Sequence, residues 1–435
     1  MSGYSNAPIR RGNRDGHAAL LLIVAALCAV LFACTGSNSS NPSTPPVQAR
    51  ALQAAADYTV GSLSAPTGST FFQKTVIGDL DGDGRNDVAT FTNATVNGSD
   101  IVVLYQDQTG ELATFVSFNS LSDLGLTAVR DIAVGDLNSD GRLDLAVSGI
   151  PVPQSVGNGP SLVVLYQRPD GSLGPPARYH VTDESFAVGQ PLAIGDVNSD
   201  GRNDIVLGGV PLRVMLQAPD GSLGTASTFS SNIFGGGGVQ IADMDADGRN
   251  DVVFQAGPKS LGILRQVAPG VFADTPDTYP VVTSYWPFFD TFAVGDVNGD
   301  GKNDVVVLDP GNGGFLNIFL QNSSGTLNAP QLVPIRSSPL FGIEIADVDK
   351  DGLNDIVGDV VDAGFPTGVG QIHVFYQKVD HTFQNSTVYT FATSAGGGSP
   401  SHQALSVGDI TGDGWPDAVV SWLDEGIFVL KNVPQ

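Results

Sequence analysis

Cysteine is nearly absent. The 435 residues hold two, Cys28 and Cys34, both close to the N-terminus. No disulfide is available to staple the body of the chain, and no cysteine-based zinc spacing occurs there. Positive charge is scarce as well: 20 Lys and Arg stand against 45 Asp and Glu, a net charge of −25. That balance excludes nucleic acid as an electrostatic partner and points instead to cations. Long helical patterns are missing, because 54 glycines and 27 prolines interrupt short runs rich in Val, Ile, Leu and Thr. Such punctuation belongs to a chain of many short strands. Enzymatic signatures are lacking too, with no nucleophile elbow, phosphate loop or zinc motif. His180, His373, His381 and His402 are scattered along the chain and read as surface or strand residues.

The N-terminus reads as targeting rather than fold. Arg10, Arg11 and Arg14 precede the uncharged apolar stretch Ala18–Ala33, the layout of a bacterial export signal over residues 1–33. The end of that stretch, "LFAC" before Thr35 and Gly36, resembles a lipobox, which implies that Cys34 becomes the lipidated first residue of the mature protein. The expected location is then the bacterial envelope, on its periplasmic or cell-surface side, with the lipid as the membrane contact. A plain cleaved signal and an uncleaved anchor are the alternatives, although the run is short for a span. Residues 34–53, rich in Ser, Pro and Asn, read as a flexible tether.

Comparing the chain with itself is the most informative step. "IGDLDGDGRNDVAT" from Ile77 recurs as "VGDLNSDGRLDLAV" from Val134, "IGDVNSDGRNDIVL" from Ile194 and "IADMDADGRNDVVF" from Ile241. It returns as "VGDVNGDGKNDVVV" from Val294, "IADVDKDGLNDIVG" from Ile345 and "VGDITGDGWPDAVV" from Val407. The seven first aspartates are 57, 60, 47, 53, 51 and 62 residues apart. A strand such as "VVLYQ" at Val102 and Val163 follows each loop, then a turn such as "PDGSL" and one more apolar run. Each unit therefore reads as four strands, the content of one propeller blade. The seventh unit stops after its third strand at Gln435, while "AAADYTVGS" from Ala54 looks like a fourth strand. The expected fold is all-β: a seven-bladed β-propeller of four-stranded antiparallel blades over residues 54–435. Its ring is closed by N-terminal residues near Asp57 to Val60 that complete the last blade.

Counting from the first aspartate of each loop, positions 1, 5 and 9 are Asp, position 3 is Asp or Asn in six loops, position 6 is always Gly, and position 7 varies. That pattern gathers hard oxygen donors around a hard cation, with position 7 contributing its backbone carbonyl, and calcium is the ion it suits. The ligand sets at positions 1, 3, 5, 7 and 9 are Asp79, Asp81, Asp83, Arg85 and Asp87, then Asp136, Asn138, Asp140, Arg142 and Asp144. The third and fourth are Asp196, Asn198, Asp200, Arg202 and Asp204, and Asp243, Asp245, Asp247, Arg249 and Asp251. The fifth and sixth are Asp296, Asn298, Asp300, Lys302 and Asp304, and Asp347, Asp349, Asp351, Leu353 and Asp355. The seventh is Asp409, Thr411, Asp413, Trp415 and Asp417, where Thr411 makes the weakest case. The flanks have strand rather than helical periodicity, and no glutamate stands at position 12, so this is not an EF-hand. Up to seven structural calcium ions are expected. The apolar residue at position 2, such as Leu80 or Val297, is expected to point away from the ion into the blade.

These loops within four-stranded units resemble the FG-GAP/VCBS-type repeats of bacterial surface proteins and of the integrin alpha-subunit head. The resemblance covers about residues 54 to 435 and implies calcium between the first and second strands of every blade. Fold does not carry function with it. The variable loops on the opposite face are where ligand contacts are expected, with Tyr285 and Trp286 of "TSYWPFFD" as a candidate patch. The favoured reading is a calcium-stabilised module at the cell surface or in the periplasm that binds a protein or glycan. Alternatives are an enzyme acting on a surface polysaccharide, as in lyase-like propellers, and a structural subunit of an envelope complex.

Overall fold

The computed structural model describes residues 50–58, 70–94, 98–118, 124–151, 161–181, 191–209, 211–229, 238–257, 259–282, 292–309, 314–335, 340–360, 369–392, 400–422 and 426–434. The export signal, Cys34, the tether up to residue 49, and Tyr285 and Trp286 lie outside the described residues.

Seven four-stranded antiparallel sheets succeed one another along the chain. Blade 1 consists of Thr70–Gly78, Asp87–Ala94, Gly98–Gln106 and Leu112–Phe118, and the next five repeat that meander. Blade 2 begins at Leu126, blade 3 at Leu192, blade 4 at Val239, blade 5 at Phe292 and blade 6 at Leu340. The innermost strands touch in chain order, and the first strand of blade 7, Pro400–Gly408, touches both the first strand of blade 6 and Thr70–Gly78 of blade 1. The sheets therefore close into a ring, as the repeat count requires.

Burial explains the sequence of each strand. The second strands are near-continuous apolar runs because neighbouring sheets cover both of their faces: every residue of Asp304–Leu308 and Asp417–Trp422 is buried. The fourth strands are exposed at the rim, as in Asp277–Pro280 and Gln331–Pro334. The apolar core is divided into interblade layers. Met244, Val253 and Ile263 of blade 4, for example, pack with Phe292, Val305 and Phe319 of blade 5. The position 2 residues Leu80, Leu137, Val197, Met244, Val297, Val348 and Ile410 are all buried, as expected.

Blade 7 is completed by Arg50–Tyr58, which pairs antiparallel with Gly426–Pro434 in a register running from Arg50↔Pro434 to Tyr58↔Ile427. The strand starts at Arg50, inside the segment read as tether. Alanine, arginine and glutamine carry little intrinsic strand signal. Pairing to the chain's last strand and burial of Leu52 against Trp422 and Phe428 hold it in place instead.

Candidate metal centres between the first and second strands

The seven acidic loops share one hydrogen-bond scheme. In each, the position 1 carboxylate accepts the N–H of the position 6 glycine at 2.7 to 3.0 Å. The position 5 carboxylate accepts the N–H of position 7 at 2.9 to 3.0 Å. The glycine turns the chain back with φ between 79° and 89°, a region closed to most side chains. Position 4 takes a similar left-handed conformation, even where Ser139, Ser199, Ala246 or Lys350 occupies it.

Position 9 is the deepest point. Asp87, Asp144, Asp204, Asp251, Asp304, Asp355 and Asp417 are buried. One oxygen of each accepts the N–H of position 2 at 2.8 to 3.1 Å. The other accepts the N–H of the residue ending the third strand, Gln106 to Gln377 in six blades and Asn432 in the seventh, at 2.7 to 2.9 Å. This aspartate ties the loop to the third strand, and its remaining lone pairs stay available to an ion. Burial pushes these carboxyls up, to about 6 for Asp87, Asp144, Asp204, Asp251 and Asp417 and to about 7 for Asp304 and Asp355. Neighbouring loop carboxylates push the same way, and the backbone N–H donors oppose both.

Three loops bring carboxylate oxygens within 4.8 Å of one another: Asp79 with Asp81 and Asp87, Asp243 with Asp245 and Asp251, and Asp347 with Asp349 and Asp351. The other four have Asn138, Asn198, Asn298 or Thr411 at position 3, so part of their oxygen donor set is uncharged. The donor chemistry fits a hard cation, and one further feature tests that fit. The Oδ1 atoms of Asn198 and Asp245, both at position 3, are buried with no hydrogen-bond partner. A buried oxygen left without a donor is costly unless something else satisfies it.

Position 7 corrects an expectation. Its free variation suggested that only the backbone is used, but five of its seven side chains are cations paired to position 5. Arg85 bonds Asp83, Arg142 bonds Asp140, Arg202 bonds Asp200 and Arg249 bonds Asp247, while Lys302 reaches Asp300 at 2.6 Å. The four arginines also donate Nε to the carbonyl of Gln106, Gln167, Gln217 or Gln266 at 2.9 to 3.2 Å. In blade 7, Trp415 takes this position, and the Lys350 ammonium from the blade 6 loop lies 5.0 Å from its ring centre.

Each blade is also bonded to the loop of the preceding blade, in blade 7 through Asn432 Nδ2 to the Val348 carbonyl at 2.6 Å because Pro416 stands at position 8. The position 8 asparagines Asn86, Asn203, Asn250, Asn303 and Asn354 donate to the backbone carbonyl of position 1 in that loop at 2.8 to 3.3 Å. Blade 2 has Leu143 there, and Gln167 Nε2 makes the bond to the Asp79 carbonyl at 3.0 Å. The turn before the fourth strand closes over the same neighbour: a Cβ on Gly171 would lie 2.5 Å from the Asp81 carbonyl oxygen. The recurrent Gln at the end of "VVLYQ" was visible in the sequence. The interblade staple that Gln167, Gln217, Gln266 and Gln377 make with it was not, because the partner lies a whole blade away.

The middle of the ring holds acids that sequence reasoning missed. Lys74 pairs with Asp131 at 2.9 Å, and the Asp131 carboxylate also accepts the N–H groups of Ile132 at 2.7 Å and Leu192 at 2.6 Å. Burial raises the Asp131 carboxyl and the Lys74 ammonium opposes it. Glu344 lines a cavity of about 290 Å³ together with Lys74, Gln240 and Phe292. Burial lifts its carboxyl to about 7 against the pull of Lys74. These acids occur once each, so no repeat marks them. His373 is buried, its ring bonded to Ser386 and Gln371, and burial lowers it to about 4.

The FG-GAP-like repeat family matches residues 60–147, 196–254, 243–307 and 296–358, more than half of the chain. Human integrin alpha-IIb is 28% identical over 151 residues, which is 31% of this chain and 14% of that protein. The matched region is thus a small part of the integrin's length. Among solved structures, the BP39L lectin from Burkholderia pseudomallei aligns with a TM-score of 0.58 at 13% identity, covering 85% of this chain and 98% of its own. BBS1N, solved in complex with ARL6DN, aligns with a TM-score of 0.52 at 11% identity, covering 88% of this chain and 97% of its own. At these identities the two structures show a shared fold.

Proposed function

Because the chain belongs to the FG-GAP-like repeat family, we propose that its seven loops hold structural calcium ions and that the stiffened ring presents a binding surface for a protein or glycan. One observation carries the calcium reading: in the blade 4 loop a buried position 3 oxygen without a donor, Asp245 Oδ1, stands beside converging carboxylates. The ligands would be the side chains at positions 1, 3, 5 and 9 with the position 7 carbonyl. When bound, the ion would neutralise carboxylates that otherwise repel one another. The chain's own part is to hold those oxygens ready through the backbone bonds to positions 1, 5 and 9.

The binding reading rests on the division of labour between the two faces. Staples between neighbouring blades occupy the loop face, which leaves the opposite loops free to vary. Proteins of this architecture include a lectin and a domain solved with a protein partner. Cys34 would tether the module to the envelope by its lipid. The deciding experiment is calorimetric titration of chelator-stripped protein with calcium and with magnesium. Saturable binding of several calcium ions with weaker magnesium binding is expected; absence of calcium binding overturns the reading. Glycan-array and pull-down binding that is lost in W286A would place the ligand at Trp286, and binding unchanged in that variant removes Trp286 from the contact.

A further inference from the structure

By carboxylate count the loops of blades 1, 4 and 6 should bind an ion most tightly, since each has aspartate at all of positions 1, 3, 5 and 9. Blade 4 differs from the other two in a residue outside the loop. Just before the glutamine whose N–H binds position 9, blade 1 has Tyr105 and blade 6 has Tyr376; blade 4 has Arg265. The Arg265 side chain is 11% exposed, and its Nη1 lies 3.4 Å from Asp251 Oδ2 and 3.6 Å from Asp245 Oδ2. These belong to positions 9 and 3 of the loop. The rest of the guanidinium is anchored away from the loop, Nε to Asp277 at 3.1 Å and Nη2 to the Gly325 carbonyl of blade 5 at 2.6 Å. Three hydrogen bonds and one ionic contact on a largely covered fork leave it little freedom to swing aside.

We propose that Arg265 is a built-in cation that lowers the calcium affinity of the blade 4 loop and makes it the weakest of the three fully acidic sites. The guanidinium takes up a lone pair on Asp251, lies in ionic contact with Asp245, and its charge repels a divalent ion entering beside it. The arrangement also holds the blade 4 loop together before any metal arrives. The inference rests on the calcium reading above and separates three sites that the loop residues alone rank as equal.

The experiment titrates calcium calorimetrically into the chelator-stripped full chain and into R265Y and R265Q. Tyrosine restores what blades 1 and 6 carry, and glutamine keeps reach without charge. Each variant should bind one more ion in the tight class, with at least a tenfold gain at that site. D243N assigns the gain to blade 4: it should leave the tight class unchanged in the natural chain and remove one ion in the R265Y background. D79N should remove one ion in either. If these variants fold poorly, anomalous diffraction from crystals of the natural chain at limiting calcium gives the order directly, with blades 1 and 6 filled before blade 4. Equal filling of the three, or unchanged binding in both Arg265 variants, overturns the proposal while leaving the calcium reading intact. No calcium at any site ends both.

Discussion

Asp204 in the blade 3 loop and Asp131 in the middle of the ring are both buried aspartates that accept two backbone N–H groups. Burial raises the carboxyl of each. They differ in the charges around them. Asp200 and Asp196 push the Asp204 carboxyl further up, whereas the Lys74 ammonium 2.9 Å away draws the Asp131 carboxyl down. The loop acid is surrounded by the like charge that a bound cation would neutralise. The central acid already has one. The same residue type, buried in both places, is set among like charge in one and beside opposite charge in the other.

The largest expected effect breaks the loops and spares the centre. Chelation should lower the melting temperature by tens of degrees, since binding at ten times the dissociation constant adds about 1.4 kcal/mol per site, or ~10 kcal/mol over seven sites. Scanning calorimetry with and without chelator measures it, and an unchanged melt contradicts the assignment. The gap should also narrow as pH falls from about 7.5 to about 5. The position 9 carboxyls titrate near 6 to 7 in the metal-free fold, well above the 3.8 of a free aspartate. The metal-free fold binds more protons than the unfolded chain in that window and gains stability as pH drops. The calcium-loaded fold must surrender ions to the same protons and loses it.

A smaller effect separates the two aspartates directly. D131N should cost about 3 kcal/mol with or without calcium, because it removes the buried anion that the half-buried Lys74 ammonium pairs with at 2.9 Å. D204N should cost a similar ~3 kcal/mol in calcium but much less in chelator, where losing one of several crowded negative charges offsets the lost hydrogen bond. Urea unfolding of both variants in both buffers gives the four values. Equal behaviour of the two variants would show that the loop and the centre are alike after all.

The smallest effect sharpens the central site alone. Glu344 titrates near 7 against 4.5 for an unperturbed glutamate, so its ionisation opposes folding as pH rises through that interval. E344Q should therefore be close to neutral near pH 5 and stabilise the protein by about 2 kcal/mol near pH 8. Urea denaturation at the two pH values reads it out, and a variant less stable at the higher pH would show that Glu344 is paired as an anion.

Repetition decided what was legible in the sequence. Seven copies made the blades, the loop register, the buried position 2 and the glycine turn readable before any coordinates, because each copy independently confirmed the others. Closure by an N-terminal strand was readable for the same reason, since one unit lacked a piece that the other end supplied. Its start at Arg50 was not, because pairing overrode a composition with little strand preference. The Arg85–Asp83 pairing was hidden because a varying position looked unused. Arg265 and Lys74 stayed silent for a different reason. Each acts on residues far away in sequence and each occurs in one blade, so no pattern in the chain points to them.

Arg50–Tyr58 has a consequence for the order of synthesis. It is the first described strand to be made, and its partner Gly426–Pro434 is the last. It waits with no neighbour in its own sheet while the strands between the two are made, and six blades are complete before closure becomes possible. Closure is then one very long-range step, the slow kind in which chain entropy is spent before contacts repay it. A chain cut short before Gly426 would leave blade 7 without its two outer strands and Arg50–Tyr58 without a partner, and such unpaired strands are the ones that recruit other chains.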